Sequence, residues 1–385
     1  METPHPLLDA LAEDLHQRQI NHTYRQRKIL SSPQHVHVEV DGQSRLNFCS
    51  NDYLGLANHP DLIAAQVAAL NEAGSGSGAS HLVCGHHQLH AQLEQDLADC
   101  VGMPAALTFA TGYMANLGVI AALVGRGDAV FADRLNHASL NDACILSRAD
   151  FKRFRHNDLG DLERLLRDAP ARRKLIVVDA VYSMDGDCAP LADLLMLAER
   201  YQAWLYVDDA HGFGVLGGGR GSLAEAKIQS PQLIYMATLG KAAGCSGAFV
   251  AGETVLIDWL INHAHTAIYT TAVPPANAAA GIAALRLIRQ SPARIQSLHD
   301  NIGYFRAQMA GLQLDLMSSH TAIQPVLMPS SEQALAASKL LWERGLWVSA
   351  IRPPTVATPR LRITLSAAHS RDDIDQLIGT LKDIV

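Results

Sequence analysis

Apolar positions along the chain recur with two periods, and the change from one to the other divides it into elements. From about residue 105 short apolar runs alternate with stretches in which apolar residues fall three and four apart. The runs 105–109, 129–132, 174–179, 203–207, 233–238 and 248–251 predict strands, and 113–124, 158–168 and 191–202 predict amphipathic helices. Strands and helices in alternation predict an α/β unit whose largely parallel sheet is covered on both faces. Upstream, residues 1–30 read as a polar helix with Leu7, Leu8, Leu11 and Leu15 on one face. Runs at 35–40 and 45–49 around Asp41-Gly42 predict a hairpin. A helix over 61–73 sets Ile63, Val67 and Leu70 on one side. After Pro274-Pro275 comes a long helical stretch, 276–312. Runs at 322–328, 347–351 and 360–365 follow, with helices at 331–344 and 371–384. The expected organisation is an N-terminal helix and β segment (1–55), a large α/β domain (56–285) and a small α+β C-terminal domain (286–385).

Composition narrows the function. The chain has 385 residues, 48% hydrophobic and 18% charged, enough apolar material for large cores and too much for a disordered chain. Lys+Arg is 31 against Asp+Glu 38, a net charge of −7, with no basic stripe; nucleic acid is not an expected partner. Cys49, Cys84, Cys100, Cys144, Cys188 and Cys245 form no CxxC pair and read as reduced, mostly buried thiols. The first residues lack a basic start and apolar run, so no secretory signal is read there. Two uncharged stretches, 100–125 and 264–285, carry internal prolines and suit buried elements better than membrane spans. A cytoplasmic protein is the expectation.

Two motifs mislead. Gly212-Phe-Gly214-Val-Leu-Gly217 matches GxGxxG just after the run 203–207, which taken alone suggests an NAD-dependent oxidoreductase. However, two aspartates and a histidine precede the glycines, Gly217–Gly221 reads as a loop, and no acid-ended strand follows at the needed distance. Among eighteen histidines, His86 and His90 stand four apart on an expected helix, a spacing that can chelate. No Glu completes an HExxH arrangement, and no metal is expected.

The expected strand ends carry the chemistry, because open parallel sheets bind ligands beyond their carboxyl ends. There the chain sets Asp133 with Asn136 and His137, Asp179 with Ser183, Asp208 with His211, and Thr238 with Lys241. Lys241 is the lone charge in the run 236–250, where a lysine is either incidental or a desolvated amine of lowered pKa suited to a Schiff base. Pyridoxal phosphate needs such a lysine, a carboxylate for its pyridinium nitrogen and an anion site for its phosphate. Asp208 can supply the carboxylate, and Thr111-Gly112-Tyr113-Met114, where a strand turns into a helix, the anion site.

With these parts in view, five ordered motifs become legible: Ser50-Asn51-Asp52-Tyr53-Leu54-Gly55-Leu56, Asp133-Arg134-Leu135-Asn136-His137-Ala138-Ser139, Ser183-Met184-Asp185-Gly186-Asp187, Val207-Asp208-Asp209-Ala210-His211-Gly212 and Thr238-Leu239-Gly240-Lys241. Through them the chain resembles the α-oxoamine synthases over nearly its whole length. These are pyridoxal-phosphate enzymes of the aspartate-aminotransferase fold, the fold type I transferases. Residues 350–356 and 360–369 resemble most the branch that condenses L-alanine with pimeloyl-CoA or pimeloyl-acyl carrier protein in biotin biosynthesis.

The resemblance implies roles residue by residue. Lys241 is the Schiff-base lysine, Asp208 pairs with the pyridinium nitrogen, and His137 stacks on the ring. His211 and Ser183 reach its phenolic oxygen, and Gly112, Tyr113 and Thr238 hold the phosphate. Arg352 binds the substrate carboxylate, with Thr355 beside it; Arg25 stands near the acyl entrance and Asn51 at a shared wall. A homodimer with shared sites is implied, with Thr270 or Thr271 reaching the partner's phosphate. Where many relatives have Ser-Arg after a glycine run, this chain has Ser80-His81. Cys84, His86 and His87 have no reading. Siblings using glycine with acetyl- or succinyl-CoA, and a pyridoxal-phosphate aminotransferase, stay open beside the alanine reading, as does the remoter NAD reading.

Overall fold

The computed structural model describes residues 5–384 apart from His22. The strands are β1 (His37–Val40), β2 (Gln43–Asn47), β3 (Ala105–Phe109), β4 (Ala129–Asp133), β5 (Asp150–Phe154), β6 (Lys174–Asp179), β7 (Trp204–Asp208), β8 (Leu233–Thr238), β9 (Ala248–Gly252), β10 (Asp315–Leu316), β11 (Ile323–Leu327), β12 (Leu346–Trp347), β13 (Ser349–Ile351) and β14 (Arg360–Thr364). The expected central runs all form strands, within a residue or so at their ends. β5 escaped the hydrophobic pattern because it is an edge strand written Asp-Phe-Lys-Arg-Phe, polar as unpaired edges usually are.

The central sheet runs β3-β9-β8-β7-β6-β4-β5. β9 is antiparallel to both of its neighbours, and the remaining pairs are parallel. Alternate residues go to opposite faces, as a period of two requires. Phe131, Ile176, Leu205 and Tyr235 join one core, while Val130, Leu175, Tyr206 and Ile234 join the other. Both faces are therefore dry, and the strands read as continuous apolar runs. The carboxyl ends of β4, β6, β7 and β8 bring Asp133, Asp179, Asp208 and Thr238 to one rim, with Asp179 directly opposite Asp208 in the register.

Two smaller sheets complete the fold. One is antiparallel, β10-β11-β14-β13; in the other, β12 joins the N-terminal hairpin as β1-β2-β12. The run 347–351 thus splits between two sheets, because its first half pairs with β2 and its second with β14. The stretch 276–312 is two helices, Pro275–Gln290 and Pro292–Met309, since Pro292 lacks the N–H that would continue the first. The N-terminal helix is shorter than expected, Pro6–Ile20, because residues 29–31 instead bond to Asp41 and Glu39 of the hairpin; residues 1–4 lie outside the described ones. That helix buries no residue. Ile63, Val67 and Leu70 share a face of helix Pro60–Ala73, but it is the exposed one, and the helix packs instead through Leu62 and Ala69. Of the six free cysteines only Cys100 and Cys144 are buried; Cys84 and Cys188 are exposed. No described helix is long and apolar enough to cross a membrane.

Candidate active site

Asp208 ends β7 with its carboxylate fixed on both oxygens. Asn116 donates to Oδ2 at 2.8 Å and the Ala210 N–H donates to Oδ1 at 3.0 Å. Asn116 is itself held by Tyr206, whose hydroxyl donates to Oδ1 at 2.7 Å, and it donates to Ser139 Oγ at 2.8 Å. His137 Nδ1 lies 2.7 Å from that same Ser139 hydroxyl, and the His137 backbone N–H donates to Asp179 at 2.6 Å. Burial and the neighbouring Asp208 charge push the Asp179 carboxyl well above the usual carboxylate range. Asp208, Asn116, Ser139 and His137 are thereby one connected network beneath the cleft.

Lys241 sits in the loop after β8. Gly244 in that loop has φ +67, and any Cβ there would fall 2.5 Å from the backbone at Leu56–Ala57, so the loop is seated on the motif 50–56. The Lys241 Nζ lies 2.8 Å from His211 Nε2, and His211 Nδ1 lies 2.6 Å from the Tyr53 hydroxyl. Burial lowers Lys241 to about 8, only partly opposed by Asp208 and Asp179; burial and then Lys241 hold His211 well below its ordinary range. A neutral His211 thus accepts from the lysine through Nε2 and donates to Tyr53 through Nδ1.

Arg362, unassigned in the sequence, is the buried guanidinium of this site. It donates to the Ser183 carbonyl at 2.6 Å and to Asn51 Oδ1 at 3.2 Å, and its charge helps lower both Lys241 and His211. The signal was present: Arg360-Leu-Arg362 puts two cations on one face of a fully buried strand, which demands partners. Arg360 pairs with Asp185. Asn116 and Tyr53 were also missed, the first because nothing in an apolar helix marks a single Asn as a carboxylate's partner.

A cleft of about 890 Å³ opens over the network, lined by His137, Ser183 and Thr355, with Arg25, Arg134 and Arg153 among its walls. Arg352, expected to bind substrate, and Thr270 and Thr271 are not among its lining residues; Thr271 instead bridges Ser80. At the other side of Asp208, Thr111 caps helix Gly112–Leu123, accepting from Met114 N–H at 3.2 Å. Such a helix start leaves N–H groups without intrahelical partners. Gly112 lies against Thr238, about one methyl away, while the Tyr113 hydroxyl bonds to Asp142. The glycines of the misleading motif open no helix. Gly212 is packed so that a Cβ would fall 2.2 Å from Asp209 Oδ1, and the chain turns through the short 3-10 segment Gly217–Gly219. Asp209 is a structural acid, taking bonds from Ser222 and Tyr235. His86 is not helical with His90; it ends the turn His81–Gly85, ahead of helix Gln88–Val101.

A carboxylate fixed at a strand end, a desolvated lysine and an open helix start between them fit pyridoxal phosphate. Comparison with known proteins agrees. The family model described as aminotransferase class I and II matches residues 43–381. The 8-amino-7-oxononanoate synthase of Methylobacillus flagellatus is 56% identical over 383 residues, 99% of this chain and 97% of its own. That of Chromobacterium violaceum is 57% identical over 376 residues, 97% of this chain and 98% of its own. Among solved structures, serine palmitoyltransferase from S. paucimobilis, which carries a PLP–myriocin adduct, superposes with a TM-score of 0.92. It is 29% identical and covers 100% of this chain and 98% of its own. The NAD reading falls with these findings. With pyridoxal phosphate as its cofactor and acyl transfer as its chemistry, the chain belongs to the aminotransferase class I and II family, among the 8-amino-7-oxononanoate synthases.

Proposed function

We propose that the chain condenses L-alanine with a pimeloyl thioester, with loss of the thiol and CO2, to give 8-amino-7-oxononanoate in biotin biosynthesis, and that it does so as a homodimer. The observation that carries this reading is the desolvated Lys241 with the Arg362 charge acting on it, beside a cleft of about 890 Å³ that His137, Ser183 and Thr355 line. The names of the relatives support the same product. When bound, pyridoxal phosphate supplies a carbonyl for the amine and an electron sink for a carbanion at Cα.

The residues divide the remaining work. Lys241, its ammonium made easier to deprotonate by burial, would hold the cofactor and, once displaced by the substrate amine, take and return the Cα proton. Asp208, locked by Asn116 and the Ala210 N–H, keeps a proton on the pyridine nitrogen. His137 covers the ring, His211 and Ser183 take its phenolic oxygen, and Gly112, Tyr113 and Thr238 hold the phosphate. Arg362 takes the amino-acid carboxylate, where a planar fork binds in two bonds. Arg25 and Thr355, which line the cleft, serve the acyl substrate, and Asn51 orients Arg362, which takes the role expected of Arg352. Thr270 and Thr271, outside this chain's own cleft, serve the site of a second copy. The exposed leucines of helix Pro6–Ile20, which buries nothing of its own, support that pairing.

An absorbance titration of the holoenzyme with L-alanine, glycine and L-serine, followed by thiol release on adding pimeloyl-CoA or pimeloyl-acyl carrier protein, tests the reading. Tightest response to L-alanine with thiol release supports it. Preference for glycine moves the chain to a sibling reaction, and conversion of a keto acid without any thioester moves it to amino-group transfer.

A further inference from the structure

Outside the cleft, three imidazoles converge at one joint of the fold. The turn His81–Gly85 ends on His86, and helix Gln88–Val101 carries His90 on its buried face. His81 Nδ1 lies 2.9 Å from His86 Nδ1, so the two rings share a proton. The ring centroids are 5.1 Å apart for His81 and His86, 5.0 Å for His81 and His90, and 5.8 Å for His86 and His90. One donor nitrogen of each lies within 4.8 Å of the other two. A cavity of about 220 Å³ opens beside them, walled by His81, His86 and the Glu94 carboxylate among apolar side chains. None of the three histidines lines the cleft over Lys241.

We propose that His81, His86 and His90 bind a divalent cation of the zinc class, the ion taking the place of the proton held between His81 and His86 while that proton moves to the Nε2 of its own ring, which stays neutral. Neutral imidazoles are the ligands such ions take. His81 and His86 meet Nδ1 to Nδ1, so one of the two already turns a lone pair toward the space the three rings share. His86 is exposed, which gives the ion an entry path and leaves room for a water as fourth ligand. Zinc–nitrogen bonds of roughly 2.0–2.1 Å require the three nitrogens to draw together from their present spacing.

His90 is the anchored member. Its Nδ1 accepts from the His87 N–H at 3.0 Å and its Nε2 reaches the Val273 carbonyl at 2.9 Å. It joins by turning a nitrogen out of one of these bonds. The Val273 carbonyl would not be orphaned, because the Ser77 hydroxyl donates to it at 2.6 Å. Glu94, already accepting from the Thr108 N–H and hydroxyl, adds negative charge beside the ion. The ion would tie the 81–86 turn to the segment through Thr271 and Val273, which meets this turn at the Ser80–Thr271 bridge.

Equilibrium dialysis of the untagged holoenzyme against Zn2+, paired with a Co2+ titration read in the d–d region, tests the site. The expected result is a single tight ion per chain with tetrahedral Co2+ bands. His86→Ala and His81→Ala should each weaken binding at least about tenfold, with the fold and cofactor content unchanged, while Cys84→Ser should leave it intact. Absence of stoichiometric uptake, or wild-type affinity in both histidine variants, overturns the proposal. A loss caused by Cys84→Ser overturns the three-imidazole ligand set.

Discussion

Lys241 Nζ stands 2.8 Å from His211 Nε2, an amine and an imidazole that burial keeps from both being charged. The folded pKa of Lys241, about 8, lies below its ordinary 10.5 because the ammonium is desolvated. The free base therefore dominates above about pH 8 in the folded protein, well before the 10.5 of an exposed lysine. The rate at which apoenzyme captures pyridoxal phosphate should rise through a midpoint near 8. A midpoint near 10 would remove the desolvated-amine argument. Lys241→Ala should abolish turnover while the fold persists.

Asp208 takes one donor on each oxygen, and Asp208→Asn keeps an acceptor for one of the two, so the fold should persist. What it loses is the negative charge that keeps the pyridine nitrogen protonated. Turnover should fall by about 10²–10³-fold, the range for losing a positioned electrostatic partner. Cofactor content, read by absorbance after denaturation, should fall far less. Loss of cofactor in step with activity would make Asp208 an anchor only.

Arg362 and Arg25 should separate by substrate. Arg362 lies beside Lys241 and His211 and is oriented by Asn51 and the Ser183 carbonyl, so Arg362→Ala should raise KM for the amino acid. The expected cost is about 1.5–3 kcal/mol, the range of a hydrogen bond to a charged group. Arg362→Lys should recover little, because the fork is lost. Arg25→Ala, in the cleft wall, should act on the thioester KM instead. An equal effect of both variants on one substrate would contradict this division.

Although the whole chain is acidic, the cleft is walled by Arg25, Arg134 and Arg153, all exposed. Arg153 also donates to the Arg134 carbonyl at 2.6 Å, which sets the two side by side. The phosphates of an acyl carrier should meet this rim. Arg134→Glu should raise the thioester KM without changing the alanine KM, and the wild-type thioester KM should grow with salt, as screened exposed charges require. A salt-independent thioester KM would rule the rim out.

Most of the sheet was legible because its strands are buried on both faces, so residues such as 174–179 announce themselves as unbroken apolar runs. The strand ends were legible too, since Asp208 and Lys241 are charges that apolar surroundings must explain. Less visible was anything set by distant pairing. β5 was hidden by its edge composition, β12 took its identity from β2, and Pro292 cut a helix that periodicity alone ran together. Arg362 stood in a quoted motif, but only folding shows that β14 carries it to Lys241. His81 and His86, separate oddities along the chain, became neighbours through the turn between them.

His156 offers the clearest link between the site and stability. Its Nδ1 lies 3.0 Å from Asp133 and its Nε2 2.8 Å from Asp187, so the ring fastens the loop bearing His137 to the loop bearing Ser183. Burial alone would lower its pKa, but the bonds to Asp133 and Asp187 outweigh that and raise it to about 10. A pKa raised in the folded state gives stability that is fully present below the ordinary 6.5 and is lost as pH rises through 10. His156→Gln keeps neutral hydrogen bonding but no charge. It should lower unfolding free energy by about 2–3 kcal/mol near pH 6, within the range for charged hydrogen bonds. Urea unfolding of both proteins at about pH 6 and about pH 10 should show the gap narrowing at the higher pH. A gap that stays constant would mean His156 works by shape alone, and the two loops are not held by its charge.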